Sequence, residues 1–432
     1  MKPNSRTTAP SKEAATTRHE LVRRANSQQV FDAIVARSPV SRVDIAANTR
    51  LSKPTVLGIV NVLEAQGLVR SSTPSTGAVG RAPALYEPDP TAGYVLGVDL
   101  GGSKVCVAVA DLDGTMLGVK EEPTTRGGAD ALLDQLNRLL RATVRDSPAS
   151  WKKVLAVTIG SPGVADANGK VSLASNVVGL DTLALGPELR RRLRKRVAVE
   201  NDVNLAALGE LAAGVAKDCH TFVVLSVGTG IGLGIVLDRK LVRGAHGAAG
   251  EISYLPIGAN PRDPKSQVRG TLEIAASGSA VRRLLADELA SGAHRDGASI
   301  GLDSDSTARE IYDAAATGNP IAKIVVGRHA DVLAEAILAV SAMIDPEVVV
   351  LAGGIGSNDV LLEPLREAVA IVSPFPIRVE STLLGARAGV IGAIAHAQGD
   401  AWDTLHSMLA IHRNSTMPDP VDSVPRSGVL AR

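Results

Sequence analysis

The sequence predicts an α/β fold with mostly parallel sheets, standing behind a small helical head. Three observations carry that prediction. Short runs rich in Val, Ile and Leu alternate with helical stretches from residue 94 onward, the pattern of strands joined by crossover helices. Three of the apolar runs end in glycine-rich turns. The positive charge is concentrated ahead of all of them, within the first 86 residues.

In chain order, residues 1–26 are rich in Ser, Thr, Pro and Arg and read as a disordered basic tail. Residues 27–86 form the head, and residues 87–93, with Pro88 and Pro90, read as a linker. Tyr94–Ala110 follows as strand, glycine turn, strand, and Ala129–Val144 as a helix. Val154–Gly160, Val197–Val199 and Phe222–Val227 read as short buried strands, Ile321–Ile344 as a long helix, and Val348–Ala352 as another strand. The segment 399–432, with Pro418, Pro420 and Pro425, reads as a mobile tail.

The chain has 432 residues, enough for about three domains with sizeable cores. Aromatic residues make up only 2%, so those cores are built from Ala, Val, Leu and Ile. Two cysteines, Cys106 and Cys219, exclude a disulfide scaffold and a four-cysteine zinc site, and suit a reducing compartment. The longest uncharged run, Cys219–Leu237, is interrupted by four glycines and suits strand and turn better than a membrane span. With no apolar leader at the N-terminus, the expectation is a cytoplasmic protein without a membrane partner. The net charge of +1 hides a division. Residues 1–86 hold twelve Lys/Arg against five Asp/Glu, which is +7, and leaves −6 for residues 87–432. A basic head on an acidic body points to nucleic-acid contact by the head.

Within the head, Val30, Phe31, Ile34 and Val35 share one helical face. Ser41-Arg42-Val43-Asp44 resembles a capping box that starts a second helix, and Ser52 caps a third with Pro54 in its first turn. Ile45, Ala46, Leu51, Val56 and Ile59 are spaced to pack the two short helices at a steep angle. The pair resembles a helix-turn-helix, and the expected hairpin over 68–86, with Gly77 and Gly80, resembles a wing. Ser52–Gln66 is then the recognition helix, with Ser52, Lys53, Thr55 and Asn61 facing double-stranded DNA and Arg81 reaching a phosphate or the minor groove. Arg50 stands where such turns often carry glycine, so an ordinary helical or extended backbone is expected there. A helical protein-interaction module with solvated charges is the competing reading of the head.

The first glycine turn is Asp99-Leu100-Gly101-Gly102-Ser103-Lys104, where bare backbone can approach a phosphate, Ser103 can donate, and Asp99 can hold Mg²⁺ through water. The second, Gly228-Thr229-Gly230-Ile231-Gly232, lacks the Lys of a P-loop and precedes no helix. The third is Gly353-Gly354-Ile355-Gly356. Each alone could be structural. Between them lies Asp202, at a strand-to-helix junction, where a carboxylate can accept the proton of a sugar hydroxyl that attacks ATP. Its competing role is capping the helix.

The order of DLGGSK (99–104), GSPG (160–163), ENDVNLAALGE (200–210), GTGIGLGIVLDRKLVRGAHGAAGEI (228–252), GTLE (270–273) and LAGGIG (351–356) resembles the ROK family of repressors and sugar kinases. The resemblance covers roughly residues 94–397. With the head in front, the chain is similar to the family's sugar-responsive transcriptional repressors. The resemblance implies an actin-like ATPase (ribonuclease H-like) fold, with a small lobe over 94–205 and 385–398 and a large lobe over 206–384. It implies ATP phosphates near Gly101, Gly102, Ser103, Gly228, Thr229 and Gly230, and adenosine near Gly353 and Gly354. It implies sugar contacts from Asn201, Asp202, Glu251, Glu273 and Asn176, with Asp202 matching the family's catalytic base.

Two departures bear on the site. The family's Glu-x-Gly-His here reads Glu251-Ile252-Ser253-Tyr254, so Tyr stands in place of the His. The family's cysteine-rich zinc segment is replaced by the stretch from Pro261 to Glu273, with Thr271 in place of a Cys. Zinc needs about four close N, S or O ligands, so no metal is expected. The leading expectation is a regulator, a repressor of carbohydrate genes, that binds an operator and a small effector, a sugar or sugar phosphate, as a homodimer or tetramer. The alternative is an active ATP-dependent hexose kinase of glucokinase type. A structural or adaptor protein is the third reading.

Overall fold

A computed structural model describes residues 12–72, 84–166, 169–172, 177–180, 183–291 and 301–411. The chain divides into two compact units, Met1–Pro88 with Asp403–Arg432, and Asp89–Trp402.

The first unit begins with α1 (Lys12–Arg37), β1 (Val40–Ser41), α2 (Arg42–Thr49), α3 (Lys53–Ala65), β2 (Val69–Ser72) and β3 (Leu85–Pro88). The expected disordered tail over 1–26 is corrected in its second half. Helix α1 starts at Lys12, because neither Pro nor Gly occurs between Pro10 and Pro39 to break it. Val30, Phe31 and Ile34 of α1, Ile45 of α2 and Val56, Val60 and Leu63 of α3 are buried. The three helices therefore share one core, which also takes Ile59, and leave the opposite face of α3 to solvent. Ser41 and Ser52 accept from the backbone N–H of Asp44 and Thr55, at 3.3 Å each, as N-caps of α2 and α3. Strands β1, β3 and β2 form an antiparallel sheet in that order, and Pro88 pairs with Val69. Glu87 and Pro88 thus belong to the wing sheet and not to a linker. The wing tip, with Gly77 and Gly80, lies outside the described residues.

Arg50 overturns its expectation. It closes α2 at φ 56° and ψ 23°, a left-handed cap, because the packing of α2 on α3 sets the turn whatever residue fills it.

The second unit holds two five-stranded sheets and a two-stranded one, Val164–Ala165 with Val171–Ser172. The first is built from β4 (Tyr94–Leu100), β5 (Lys104–Asp111), β6 (Met116–Pro123), β7 (Val154–Ser161) and β10 (Arg196–Asn201). Between β7 and β10 lie the two-residue strands β8 (Val164–Ala165) and β9 (Val171–Ser172) and helix α5 (Leu185–Leu193); α4 (Ala129–Arg145) precedes β7. The second sheet is built from β11 (Phe222–Val227), β12 (Ile231–Leu237), β13 (Lys240–Leu241), β14 (Val349–Ala352) and β15 (Val379–Ser381). The strand orders are β10-β7-β4-β5-β6 and β13-β12-β11-β14-β15. In each five-stranded sheet a meander of three strands is followed by two strands added in parallel on the other side of the first. Half of these pairings are antiparallel, which corrects the expectation of mostly parallel sheets. The first two glycine turns connect adjacent antiparallel strands and not a strand to a crossover helix.

Two helices lie between the sheets, α6 (Asp202–Ala213) and α14 (Ala388–Ile411). Alternation along β11 shows why. Val223, Leu225 and Val227 point into a core with α8 (Thr271–Ala276), α9 (Gly278–Ser291), α10 (Ala308–Ala316), α11 (Pro320–Ile344) and α13 (Asp359–Val372). Phe222 and Val224 point the other way, onto Ala206, Ala207 and Ala388. Helices α4 and α5 cover the outer face of the first sheet. The remaining short helices are α7 (Pro264–Arg269) and α12 (Gly353–Gly356). Glycine sets how closely α6 and α14 approach. A Cβ at Gly392 would stand 1.7 Å from the Leu205 carbonyl oxygen, and one at Gly209 would stand 2.3 Å from that of Ala388.

Helix α14 also corrects the tail expected over 399–432. It continues to Ile411, with Ala401 and Leu405 buried, and its last turns belong to the first unit. There the His406 ring meets Phe31 edge-on at 5.6 Å, and its Nε2 lies 3.1 Å from Asp32. Among the described residues, no helix is long and apolar enough to cross a membrane.

Candidate functional site

The site forms where local chemistry meets at the edges of the sheets. Strand β10 ends at Asn201 and α6 starts at Asp202. Capping of α6 falls to Asn201, whose Oδ1 accepts from Val203 N–H at 2.9 Å and Asn204 N–H at 3.1 Å. Its Nδ2 donates to the Gly163 carbonyl at 3.0 Å, so most of the polar capacity of Asn201 is spent inside the chain. Asp202 is thereby released from the capping role. It accepts one backbone bond, from Val203 N–H at 2.9 Å. Its carboxyl is pushed up to about 7, by burial first and then by the neighbouring carboxylates of Asp99 and Glu251.

A cleft of about 570 Å³ opens above Asp202, within the range of small-ligand sites. Asn201, Glu251, Glu273 and the turn Gly228-Thr229-Gly230 line it with Asp202, so four separate stretches of sequence converge. Burial raises the Glu251 carboxyl, and the Glu273 carboxylate raises it further. Burial likewise raises Asp99, against the pull of Lys104. Asp99 lies beneath the start of α14, where a Cβ on Gly389 would stand 3.2 Å from its carboxyl.

The remaining expected residues distribute as follows. Gly101, Gly102 and Ser103 sit in the β4–β5 turn, where Gly101 N–H donates to the Lys104 carbonyl at 2.9 Å, and they are outside the cleft lining. Gly353 and Gly354 also lie outside that lining but come close to it. A Cβ on Gly228 would be 3.9 Å from the Gly354 nitrogen, and nothing else crowds either position. Gly353 has φ +82°, which suits glycine alone. Loops two and three thus form one bare-backbone cradle that side chains would fill, which fits a phosphate-bearing ligand. Asn176 and Arg81 lie outside the described residues. In the head, Ser52, Lys53, Thr55 and Asn61 are exposed along α3, although Ser52 and Thr55 share a hydroxyl contact of 2.7 Å. Leu57 and Val62 are exposed on the same helix.

The cleft wall also holds Tyr254, marked in the sequence only as a departure, and three residues that sequence reasoning missed. Tyr254 lines it, with its hydroxyl 3.4 Å from the Val268 carbonyl, so the residue replacing the family's His is tied to α7. Ser253, Val268 and Arg269 line it as well. Gly270, at φ +89°, makes this possible, since a Cβ there would overlap the Ser253 carbonyl. For Ser253, Val268 and Arg269, only proximity to Glu251 and Glu273 in sequence could have pointed to them. Among the described residues, no group of three His, Cys, Asp or Glu is placed to hold a metal ion.

The ROK family profile matches residues 95–400. A protein named putative xylose repressor, from Caldicellulosiruptor sp. (strain Rt8B.4), is 28% identical over 88% of this chain and 97% of its own length. A protein named glucokinase, from Thermotoga maritima, is 32% identical over 69% of this chain and 95% of its own. Among solved structures, a ROK family transcriptional regulator described as a homologue of the Escherichia coli MLC protein superposes with a TM-score of 0.70. It is 23% identical and covers 90% of this chain and 99% of that one.

Proposed function

The chain belongs to the ROK family, and on that premise we propose that it is a DNA-binding transcriptional regulator of carbohydrate genes, acting as a repressor, whose cleft senses a sugar or sugar phosphate. One observation carries this reading. The similarity to a protein named putative xylose repressor spans 88% of this chain, more than the body alone, and 97% of that protein. The charge division supports it, because the +7 of residues 1–86 falls on the winged unit. The exposed face of α3 supplies Lys53, Thr55 and Asn61 to an operator, and Arg81 is assigned to a phosphate or the minor groove. Asp202, Glu251 and Glu273 supply acceptors for sugar hydroxyls, with Asn201 contributing its remaining N–H. Effector and operator are then coupled reciprocally: whatever factor the sugar takes from DNA affinity, DNA takes from sugar affinity. Two half-sites call for a symmetric homodimer or tetramer.

A second reading, an ATP-dependent hexose kinase, is favoured by a specific observation. An Asp202 carboxyl at about 7 is suited to accept a hydroxyl proton near neutral pH. The cradle of Gly228, Gly353 and Gly354 suits the phosphates and adenosine of ATP, which supplies the transferable phosphoryl group when bound, and Asp99 is the nearby carboxylate for Mg²⁺. We further propose that the body needs no zinc, since the segment from Pro261 to Glu273 holds neither Cys nor His. One stoichiometric zinc per purified chain would overturn that.

A single preparation tests both readings. Binding to DNA from the protein's own upstream region is measured against a sugar panel, and ATP-dependent sugar phosphorylation is assayed beside it. Specific, sugar-sensitive DNA binding without turnover supports the regulator. Robust turnover lost in Asp202→Asn supports the kinase.

A further inference from the structure

Between β13 and Glu251 the chain runs as a strap, residues 242–250, from the second sheet across to the first and back. It leaves at Val242, whose N–H donates to the Ile235 carbonyl at 2.9 Å, and returns at Gly250, whose carbonyl accepts from Leu233 N–H at 3.0 Å. On the way it meets two strands of the other side. Arg243 Nε donates to Oε2 of Glu200, on β10, at 2.5 Å. A Cβ on Gly247 would stand 3.0 Å from the carbonyl oxygen of Ala165, on β8. The strap then delivers Glu251 to the cleft wall.

Glu200 does more than accept an ion pair. It is buried near the end of β10, directly before the residue that caps α6. Its Oε1 accepts from the Asn201 backbone N–H at 3.0 Å and from Asn204 Nδ2 at 2.9 Å. Asn204 is buried in the first turn of α6. One carboxylate oxygen therefore holds residues on both sides of Asp202, and the other holds the strap. Both amide donors are neutral, and among the described residues Arg243 is the cation paired with this buried charge. The exposed pair of Lys104 and Glu121, by contrast, joins two strands that their own ladder already holds. Neither Glu200 nor Arg243 lines the cleft.

We propose that Arg243 is a positioning residue for the cleft. Its bond to Glu200 sets the place of Glu251, carried by the strap, relative to Asn201 and Asp202, carried by the start of α6, so that both sides grip one sugar ring. This rests on the reading of the cleft as a sugar sensor. The route is short and made of direct bonds. Arg243 holds Glu200, Glu200 holds Asn201 and Asn204, and Asp202 stands between those two in sequence. Without the guanidinium, Glu200 keeps a buried charge with no counter-ion, and the strap loses its bond to β10. The two halves of the site then lose their common reference, although no group that touches the sugar has been removed.

Two measurements on the full chain test this. Calorimetry with glucose, xylose, N-acetylglucosamine and glucose 6-phosphate finds the probe that binds the parent chain, and the variants are titrated with that probe. Arg243→Met should weaken it at least tenfold, and Arg243→Lys, which keeps the charge, should restore part of the loss. In a Glu200→Gln background, Arg243→Met should cost less than a further twofold, because the bond it removes is already broken. Hydrogen exchange without sugar reads the positioning directly. The segment 200–205 should exchange at least tenfold faster in Arg243→Met, while α2 and α3 of the head exchange as in the parent and serve as the control for folding. Affinity within twofold of the parent, a Lys variant no better than Met, losses that multiply in the double variant, or unchanged exchange over 200–205 each overturns the proposal and leaves sugar sensing intact. If no probe binds the parent chain while it still binds its upstream DNA, the sensing reading itself falls, and this proposal with it.

Discussion

Replacing Asp202 by Asn should make the protein more stable and less responsive, and the stability gain should depend on pH in a set direction. In the folded chain the Asp202 carboxyl sits at about 7, against 3.8 for an ordinary aspartate. Between those values the folded chain holds a proton that the unfolded chain has lost. Stability attributable to this group is therefore complete below 3.8 and declines as pH rises through 7. Each tenfold change is worth ~1.4 kcal/mol, so the full span corresponds to roughly 4 kcal/mol. The carboxyl borders an open cleft, and solvent screening reduces that to about half, roughly 2 kcal/mol. Asn cannot ionise and escapes the penalty. Between pH 5 and pH 8 the stability advantage of Asp202→Asn should grow by about 1–2 kcal/mol, a few degrees in thermal midpoint for a body of this size. Calorimetric melting of both proteins at the two pH values measures it. Midpoints that differ by the same amount at pH 5 and pH 8 would refute the placement of an ionisable carboxyl in a desolvated, acidic corner.

Three further outcomes are expected. His329 is fully buried between Tyr312 and the Ala276 carbonyl, each at 2.7 Å, and burial pushes it down to about 4. As pH falls from 6.5 toward 4 the unfolded chain takes up a proton that the folded chain refuses, so about 2 kcal/mol should be lost by pH 5; His329→Gln should lose that much less between pH 7 and pH 5, and equal losses in both chains would count against the burial argument. Gly392→Ala should cost about 1–3 kcal/mol or more, read as a lower melting temperature, because its methyl meets the Leu205 carbonyl at the crossing of α6 and α14; an unchanged midpoint would mean that the helices do not cross so closely. Lys53→Ala, exposed at the start of α3, should weaken operator binding and lower the salt dependence by roughly one phosphate contact while sugar binding persists. Loss of both activities would show that Lys53 has been misplaced in the fold.

The amino-acid sequence determined by itself those features whose physics is local. Ser41 and Ser52 announced helix starts because a cap needs only the next three residues. The strand-to-helix junction at Asp202 and the glycine turns at Gly228 and Gly353 were legible for the same reason, since each is a statement about a few adjacent dihedrals. The excess of charge in the head needed only counting. Local reading failed where a distant partner decides. Arg50 takes a left-handed backbone that its own side chain disfavours, because two packed helices demand it. The segment after residue 399 continues as a helix because Ala401 and Leu405 find a buried place.

Tertiary structure alone decided the character of the cleft. Asp202, Glu251, Glu273 and Arg269 lie in three separate stretches of sequence, and nothing in their spacing states that they face one another. Nor could sequence tell that Asn201, and not Asp202, caps α6, which is what leaves the carboxylate available. The reason is physical. A cap or a turn is set by bonds within one segment, whereas the proton affinity of a carboxyl depends on desolvation and charge delivered by every segment packed around it.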